Sequence, residues 1–222
     1  MSTEQRFLYL FPEQVRRNER GVFQLDWGAE RSPFHLDRGI DYNPAVNEIV
    51  VRHKALSAAE CAKVMALGEA RTPVTATLER GHAVEYRAST IRWIEPDEDA
   101  QWLYHRLGIL FHEVNRHFRF DLIGLPEALQ YTVYGPGDKF EWHIDIGPGT
   151  ISGRKLSVSI LLSADADYEG GGLDFLNAGG DRSGIGIGTA IFFPSYMAHR
   201  VAPVTRGTRR SLVAWGYGPS FR

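Results

Sequence analysis

"KFEWHID" spans residues 139–145 and runs straight into the turn sequence "IGPG" at residues 146–149. Two-residue alternation along a strand puts His143 and Asp145 on one face and Phe140, Trp142 and Ile144 on the other. The segments around it keep the same rhythm. From Pro126 onward, "ALQYTVYG", "KLSVSILLS", "GLDFL", "TAIFFPS", "HRVAPV" and "RRSLVAWGY" are short β-type runs separated by glycine-containing turns. Strands of this length and spacing predict an antiparallel sandwich or barrel.

Upstream the period changes. "SAAE" at residues 57–60 has the form of a capping box, with Ser57 and Glu60 each able to satisfy the other's backbone amide, and predicts a helix running to about Ala70. A second helix is expected after Pro96, with the acidic "DED" of residues 97–99 in its first turn, and it should continue to about Phe118. Leu103, Leu107, Leu110, Phe111, Val114 and Phe118 form one apolar stripe for packing on a sheet. His105, His112 and His117 ride on this helix without a carboxylate-rich motif and read as solvated or hydrogen-bonded histidines. Residues 1–50 mix short apolar runs with turn residues and charges and read as an irregular or partly stranded lead-in. "GIGIG" at residues 184–188 lies between strands with no helix after it, which predicts a connection and not a phosphate loop. The expectation is therefore a single domain over 1–222, with an irregular lead-in over 1–55, helical support over 56–120 and a β-core over about 84–220.

The chain has 222 residues, 43% of them hydrophobic and 23% charged, with a formal net charge of -2. That balance suits a globular domain and gives no electrostatic reason to expect nucleic acid or a membrane as partner. The N-terminus lacks the pattern of a signal peptide, and no apolar run is long enough to span a bilayer. The single cysteine, Cys61, falls in a helical stretch and reads as a small buried residue. A cytoplasmic protein is expected.

The chemistry centres on the H-x-D pair. A histidine and a carboxylate on one strand face are two members of a 2-His-1-carboxylate triad, the donor set that holds Fe(II) and leaves positions open for other ligands. "PSYMAHRVAPV" supplies a second histidine, His199, 54 residues after Asp145 and beyond several intervening strands. Ten residues further on, "RRS" places Arg209 and Ser211 on one strand face. A guanidinium beside a hydroxyl suits the distal carboxylate of a 2-oxo acid. Arg210 points the other way and suits a surface ion pair.

Together these segments resemble the Fe(II)- and 2-oxoglutarate-dependent dioxygenases, in their prolyl 4-hydroxylase-like branch. The resemblance covers roughly residues 86–217. "LQYTVYGPGDKFEWHID" is similar to that branch's paired strands, "YEGGGLDFL" to the glycine turn that follows, and "GTAIFFPSYMAHRVAPVTRGTRRSLVAWGYG" to its closing segment. It implies a double-stranded β-helix, the jelly-roll or cupin-like fold, preceded by packing helices. It also implies Fe(II) held by His143, Asp145 and His199, and 2-oxoglutarate as co-substrate anchored by Arg209 and Ser211 and touched by Tyr134. Ascorbate is implied as a reductant. "YRASTIRWI" is similar to a stretch bordering the substrate cleft, which nominates Arg87 and Ser89 for substrate contact and Trp93 for packing; Arg154 is nominated on the same ground. The basic residue ten after the second histidine is a lysine in the collagen-type enzymes and an arginine here.

The implied reaction consumes molecular oxygen and 2-oxoglutarate and hydroxylates an unactivated aliphatic carbon, in a prolyl or other amino-acid residue of a peptide or protein. Hydroxylation of a free amino acid or a natural-product intermediate is the alternative within enzymes, and a non-catalytic metal-binding jelly-roll sensing module is the alternative outside them. Asp145 argues against a halogenase, whose relatives leave that ligand position free for chloride. The glycine-rich loop at residues 146–154 is long enough for a lid.

Overall fold

Polar and apolar residues alternate along the strands from Leu129 onward, so each strand can give one face to helices and the other to a polar interior. A computed structural model describes residues 9–10, 15–17, 23–25, 43–75, 87–176 and 185–220. In chain order, β1 (Tyr9–Leu10), β2 (Val15–Arg17), β3 (Phe23–Leu25) and β4 (Val50–Arg52) precede α1 (Ala58–Glu69). Then come β5 (Val74–Thr75), β6 (Arg87–Ala88), β7 (Thr90–Ile94) and α2 (Gln101–Phe118). The remainder is stranded: β8 (Gly124–Leu125), β9 (Leu129–Tyr134), β10 (Lys139–His143), β11 (Arg154–Leu161), β12 (Tyr168–Gly170) and β13 (Leu173–Phe175). β14 (Ala190–Pro194), β15 (His199–Val201), β16 (Val204–Gly207) and β17 (Arg209–Tyr217) complete it. Most of the expected lead-in, and Gly184 of "GIGIG", lie outside the described residues.

The main path of the major sheet is β4-β14-β11-β17-β9-β7-β5, and β8 joins β1 to β17. A second sheet runs β13-β15-β10-β6, and β12 pairs with β16. Every pairing in these sheets is antiparallel. The two sheets face one another as a jelly roll, in line with the expected sandwich.

One face of the major sheet is closed by the helices. Leu156, Val158, Ile160, Phe192, Leu212 and Ala214 share a buried core with the α2 stripe, whose six apolar positions are all buried. The opposite face carries Gln130, Thr132, Ser157, Ser159, Arg209 and Ser211, all buried as well. A buried row of hydroxyls, an amide and a guanidinium costs desolvation free energy that only partners can offset, and it marks this side as the functional interior.

α1 begins as expected: the Ser57 hydroxyl accepts from the Glu60 amide, and the Glu60 carboxylate accepts from the Ser57 amide. α2 begins later than its acidic residues suggest. Asp97 accepts from the Ala100 amide at 3.0 Å and pairs with Arg71 at 2.5 Å, so the acidic run closes a turn and the helix opens at Gln101. It ends at Arg119 in the left-handed region, φ 55°, where the Asn115 side chain brackets Phe120 through its amide and carbonyl. His117 pairs with Glu48 at 2.7 Å on the exposed side, away from the polar interior. Residues 187–188 form a turn leading to β14, the connection expected of this stretch. Among the described residues no helix is long and apolar enough to cross a membrane.

α1 closes on the sheet through Gly68, where a methyl group would overlap the Tyr131 ring. Gly68→Ala is expected to lower stability by about 1–3 kcal/mol through this overpacking, despite alanine's better helix propensity. A denaturant midpoint at or above wild type would contradict that packing.

Candidate metal centre and anion anchor

β10 and β15 pair so that His143 stands opposite His199. The His143 Nδ1 donates to the Glu141 carbonyl at 2.7 Å, and the His199 Nδ1 donates to the Met197 carbonyl at 2.9 Å. A carbonyl only accepts, so each bond fixes the proton on Nδ1 and leaves Nε2 with a free lone pair. Both Nε2 atoms face Asp145, at 3.7 Å from Oδ1 for His143 and 3.7 Å from Oδ2 for His199. The ligand atoms of the three residues all lie within 4.8 Å of one another, close enough for one ion bound by all three. Two imidazoles and a carboxylate are the donor set of a non-haem Fe(II) site.

Electrostatics favour the donor forms of His143 and Asp145. Burial, then the nearby His199, pushes His143 down to about 4, so its ring is neutral at ordinary pH. Burial alone would raise the Asp145 carboxyl, but the two histidines, Arg154 and the Ser157 hydrogen bond outweigh it and hold the group below its ordinary value. Ser157 donates to Asp145 Oδ2 at 2.7 Å and also meets Ser195 at 2.9 Å.

Strict alternation fails at Phe140. The β10–β15 register shifts between Phe140 and His143, and such a bulge turns Phe140 to the histidine side, where the two rings stack with centroids 3.5 Å apart. Trp142 stays outside, 37% exposed, with the Arg200 guanidinium 4.9 Å from its ring centre.

Arg209 lies on the inner face of β17 and is only 4% exposed. Its Nη1 donates to the Ser211 hydroxyl at 3.2 Å, and its guanidinium lies 5.4 Å from the centre of the Tyr134 ring. Among the described residues no carboxylate pairs with it. A buried guanidinium without a counter-charge is costly, and an anionic ligand beside Ser211 would supply one. Arg210, on the opposite face, approaches Glu69 at 3.6 Å, the ion pair expected of it.

Residues 129–217 match the family profile described as the 2OG-Fe(II) oxygenase superfamily. This segment belongs to that superfamily. Curated relatives include a PKHD-type hydroxylase of Idiomarina loihiensis, 35% identical over 83 residues, and one of a Picosynechococcus strain, 38% identical over 89 residues. Those alignments cover 37% and 40% of this chain and 38% and 41% of the relatives, so the likeness spans about two-fifths of their length. The fold extends further. A Pseudomonas putida prolyl-4-hydroxylase superposes with a TM-score of 0.61 at 23% identity, covering 78% of this chain and 95% of its own. A Trichoplax adhaerens prolyl hydroxylase, solved with a hypoxia-inducible-factor peptide fragment, gives 0.61 at 17% identity, covering 86% and 95%.

The polar interior that holds the His143, Asp145 and His199 cluster and Arg209 also carries residues that motif reading passed over. Register places Thr132 beside Ser211, and Val213 between Gln130 and Ser159. The Gln130 amide donates to Thr132 at 2.9 Å. Their signal was present in "LQYTVY" and "LSVSIL", where polar side chains alternate with the apolar ones that meet the helices. Arg87 stands opposite Phe140 across the β6–β10 pair, donates from Nε to Ser89 at 3.1 Å and lies 4.4 Å from the Phe140 ring centre. Its buried Nη2 has no partner among the described residues. Trp93 packs near Trp215 with ring centres 6.4 Å apart. Arg154, nominated for substrate contact, is engaged within the chain: Nε and Nη2 donate to the Glu127 carboxylate and Nη1 donates to the Asp145 carbonyl. The loop before it forms a short 3-10 turn, Gly149–Gly153.

The glycine turn after β12 shapes the anchor. Gly171 has φ +63°, and a Cβ there would meet Arg209 Cδ at 2.8 Å and Val204 Cγ2 at 3.0 Å. Gly171→Ala is expected to displace Arg209 and weaken 2-oxoglutarate binding on the order of 10-fold, measured by calorimetry with a divalent metal present. Unchanged affinity would separate this turn from the anchor.

Proposed function

We propose that the protein is an Fe(II)- and 2-oxoglutarate-dependent dioxygenase that hydroxylates an unactivated aliphatic carbon, in a prolyl or other amino-acid residue of a peptide or protein. The observation that carries this reading is Arg209, a buried guanidinium without a carboxylate among the described residues, on the same polar interior as a complete His143, Asp145 and His199 triad. A bare metal-binding module has no use for that charge, whereas a dicarboxylic 2-oxo acid would need both features.

In this reading His143, Asp145 and His199 hold Fe(II). Arg209 and Ser211 bind the distal carboxylate of 2-oxoglutarate, and Tyr134, whose hydroxyl burial keeps protonated, contributes beside them. The chemistry supplied by the bound groups is the coupling of 2-oxoglutarate decarboxylation to C–H hydroxylation, with one atom of O2 ending in succinate and the other in the product. The chain supplies order and dryness. Nδ1–carbonyl bonds orient both imidazoles, Ser157 holds one carboxylate oxygen, and Phe140, Phe175 and Phe193 pack around the histidine rings. Arg87, with Ser89, takes a carbonyl or carboxylate of the substrate in this reading, which its buried Nη2, without a partner among the described residues, supports. The peptide ligand of the Trichoplax neighbour supports a peptide or protein substrate over a free amino acid. The buried thiol of the single cysteine suits the reducing cytoplasm.

The test is to incubate the protein with Fe(II), 2-oxoglutarate, ascorbate, O2 and prolyl peptides or a cell extract, measuring succinate and products that gain one oxygen atom. His143→Ala and Asp145→Ala are expected to bring both signals to background with the fold retained by circular dichroism; turnover surviving both changes would refute the metal assignment. Arg209→Ala removes one partner of a buried charged contact, worth about 2–5 kcal/mol, so the KM for 2-oxoglutarate should rise by about 30-fold or more. An unchanged KM would place the anchor elsewhere.

A further inference from the structure

We propose that Arg154 is a positioning residue for the metal site, clamping the main chain of Asp145 from the far end of the loop that follows it, and is not a substrate contact. This rests on the metal-centre reading above. Asp145 lies beyond the last residue of β10, so no strand ladder fixes its backbone. Two bonds do so instead: its amide donates to the Ser195 carbonyl at 2.8 Å, and its carbonyl accepts from Arg154 Nη1 at 3.0 Å. With Ser157 on Oδ2, the residue is held at its amide, its carbonyl and its side chain.

The arginine itself has little freedom. Nε donates to Glu127 Oε1 at 2.7 Å, Nη2 donates to the other Glu127 oxygen, and the guanidinium stacks 3.7 Å from the Trp215 ring centre. The Tyr217 hydroxyl donates to the same Glu127 carboxylate. The clamp therefore ties the start of β11 to the segment just before β9 and to the end of β17, and so fastens a ligand outside the sheet to strands of the major sheet. A planar, bidentate fork with a free third edge is what the arrangement uses, and lysine cannot reproduce it.

Groups that hold a metal ligand in place typically matter by about 10- to 100-fold in metal affinity. Arg154→Met, which keeps an apolar stem against Trp215, and Arg154→Lys, which keeps the charge, are both expected to weaken Co(II) binding within that range. Affinity is read by calorimetry, and the environment of the ion by the visible absorption of the Co(II) form. Glu127→Gln keeps the side chain's shape but turns one of its two acceptor oxygens into a donor, so one of the two bonds to the fork is lost; it should weaken Co(II) binding less than the Arg154 variants do, and it serves if they fail to fold. Affinity is compared only among variants whose thermal midpoints show folded protein, so a loss of fold alone cannot mimic the effect. Wild-type Co(II) affinity and spectrum in every folded variant would overturn the clamp while leaving the triad intact. Full recovery in Arg154→Lys would overturn it in favour of a simple charge effect. A wild-type protein that binds no Co(II) would overturn the metal reading and the clamp together.

Discussion

The antiparallel register of β10 and β15 sets two imidazoles directly opposite each other, and the site is arranged around that constraint. Two strands paired at this point fix the separation of the histidines without any help from side chains. The third donor comes just after β10 ends, so it needs its own support from Ser195, Ser157 and Arg154. The bulge that turns Phe140 inward follows from the same pairing, since it lets an aromatic face cover His143 where strict alternation would have left a gap.

The interior opposite the helices is unusual for a core because it is buried and polar. Gln130 and Thr132 answer one another, Ser157 answers Asp145 and Ser195, and Arg209 has Ser211 but no carboxylate among the described residues. The apolar face of the same strands packs on α1 and α2, and burial of that kind, about 25 cal/mol per Å² of apolar surface, stabilises a sheet whose other face carries such costs. Stability and function are thus divided between the two faces of the same strands. Two arginines illustrate how this division is drawn: each guanidinium nitrogen of Arg154 donates to Glu127 or to the Asp145 carbonyl, whereas Arg87 keeps a buried Nη2 without a partner among the described residues.

Much of this was legible in the chain itself. Alternation marks the strands, the capping box marks α1, and the apolar stripe marks α2. The shared strand faces of His143 with Asp145 and of Arg209 with Ser211 are readable without coordinates, because a two-residue period fixes which side chains share a face, and His199 comes into their neighbourhood only through strand pairing. What residue order alone could not decide was register. A strand's period is blind to a bulge, so Phe140 was assigned to the wrong face, and the onset of α2 moved because Asp97 is held in a turn by Ala100 and Arg71. The role of Arg154 depends on Glu127, 27 residues away in sequence and brought alongside only by the packing of separate strands. Local periodicity thus determined most of the elements and which candidate donors share a strand face, and tertiary structure decided which charged groups are paired within the chain and which lack a counter-charge among the described residues, because pairing between distant strands places each counter-charge.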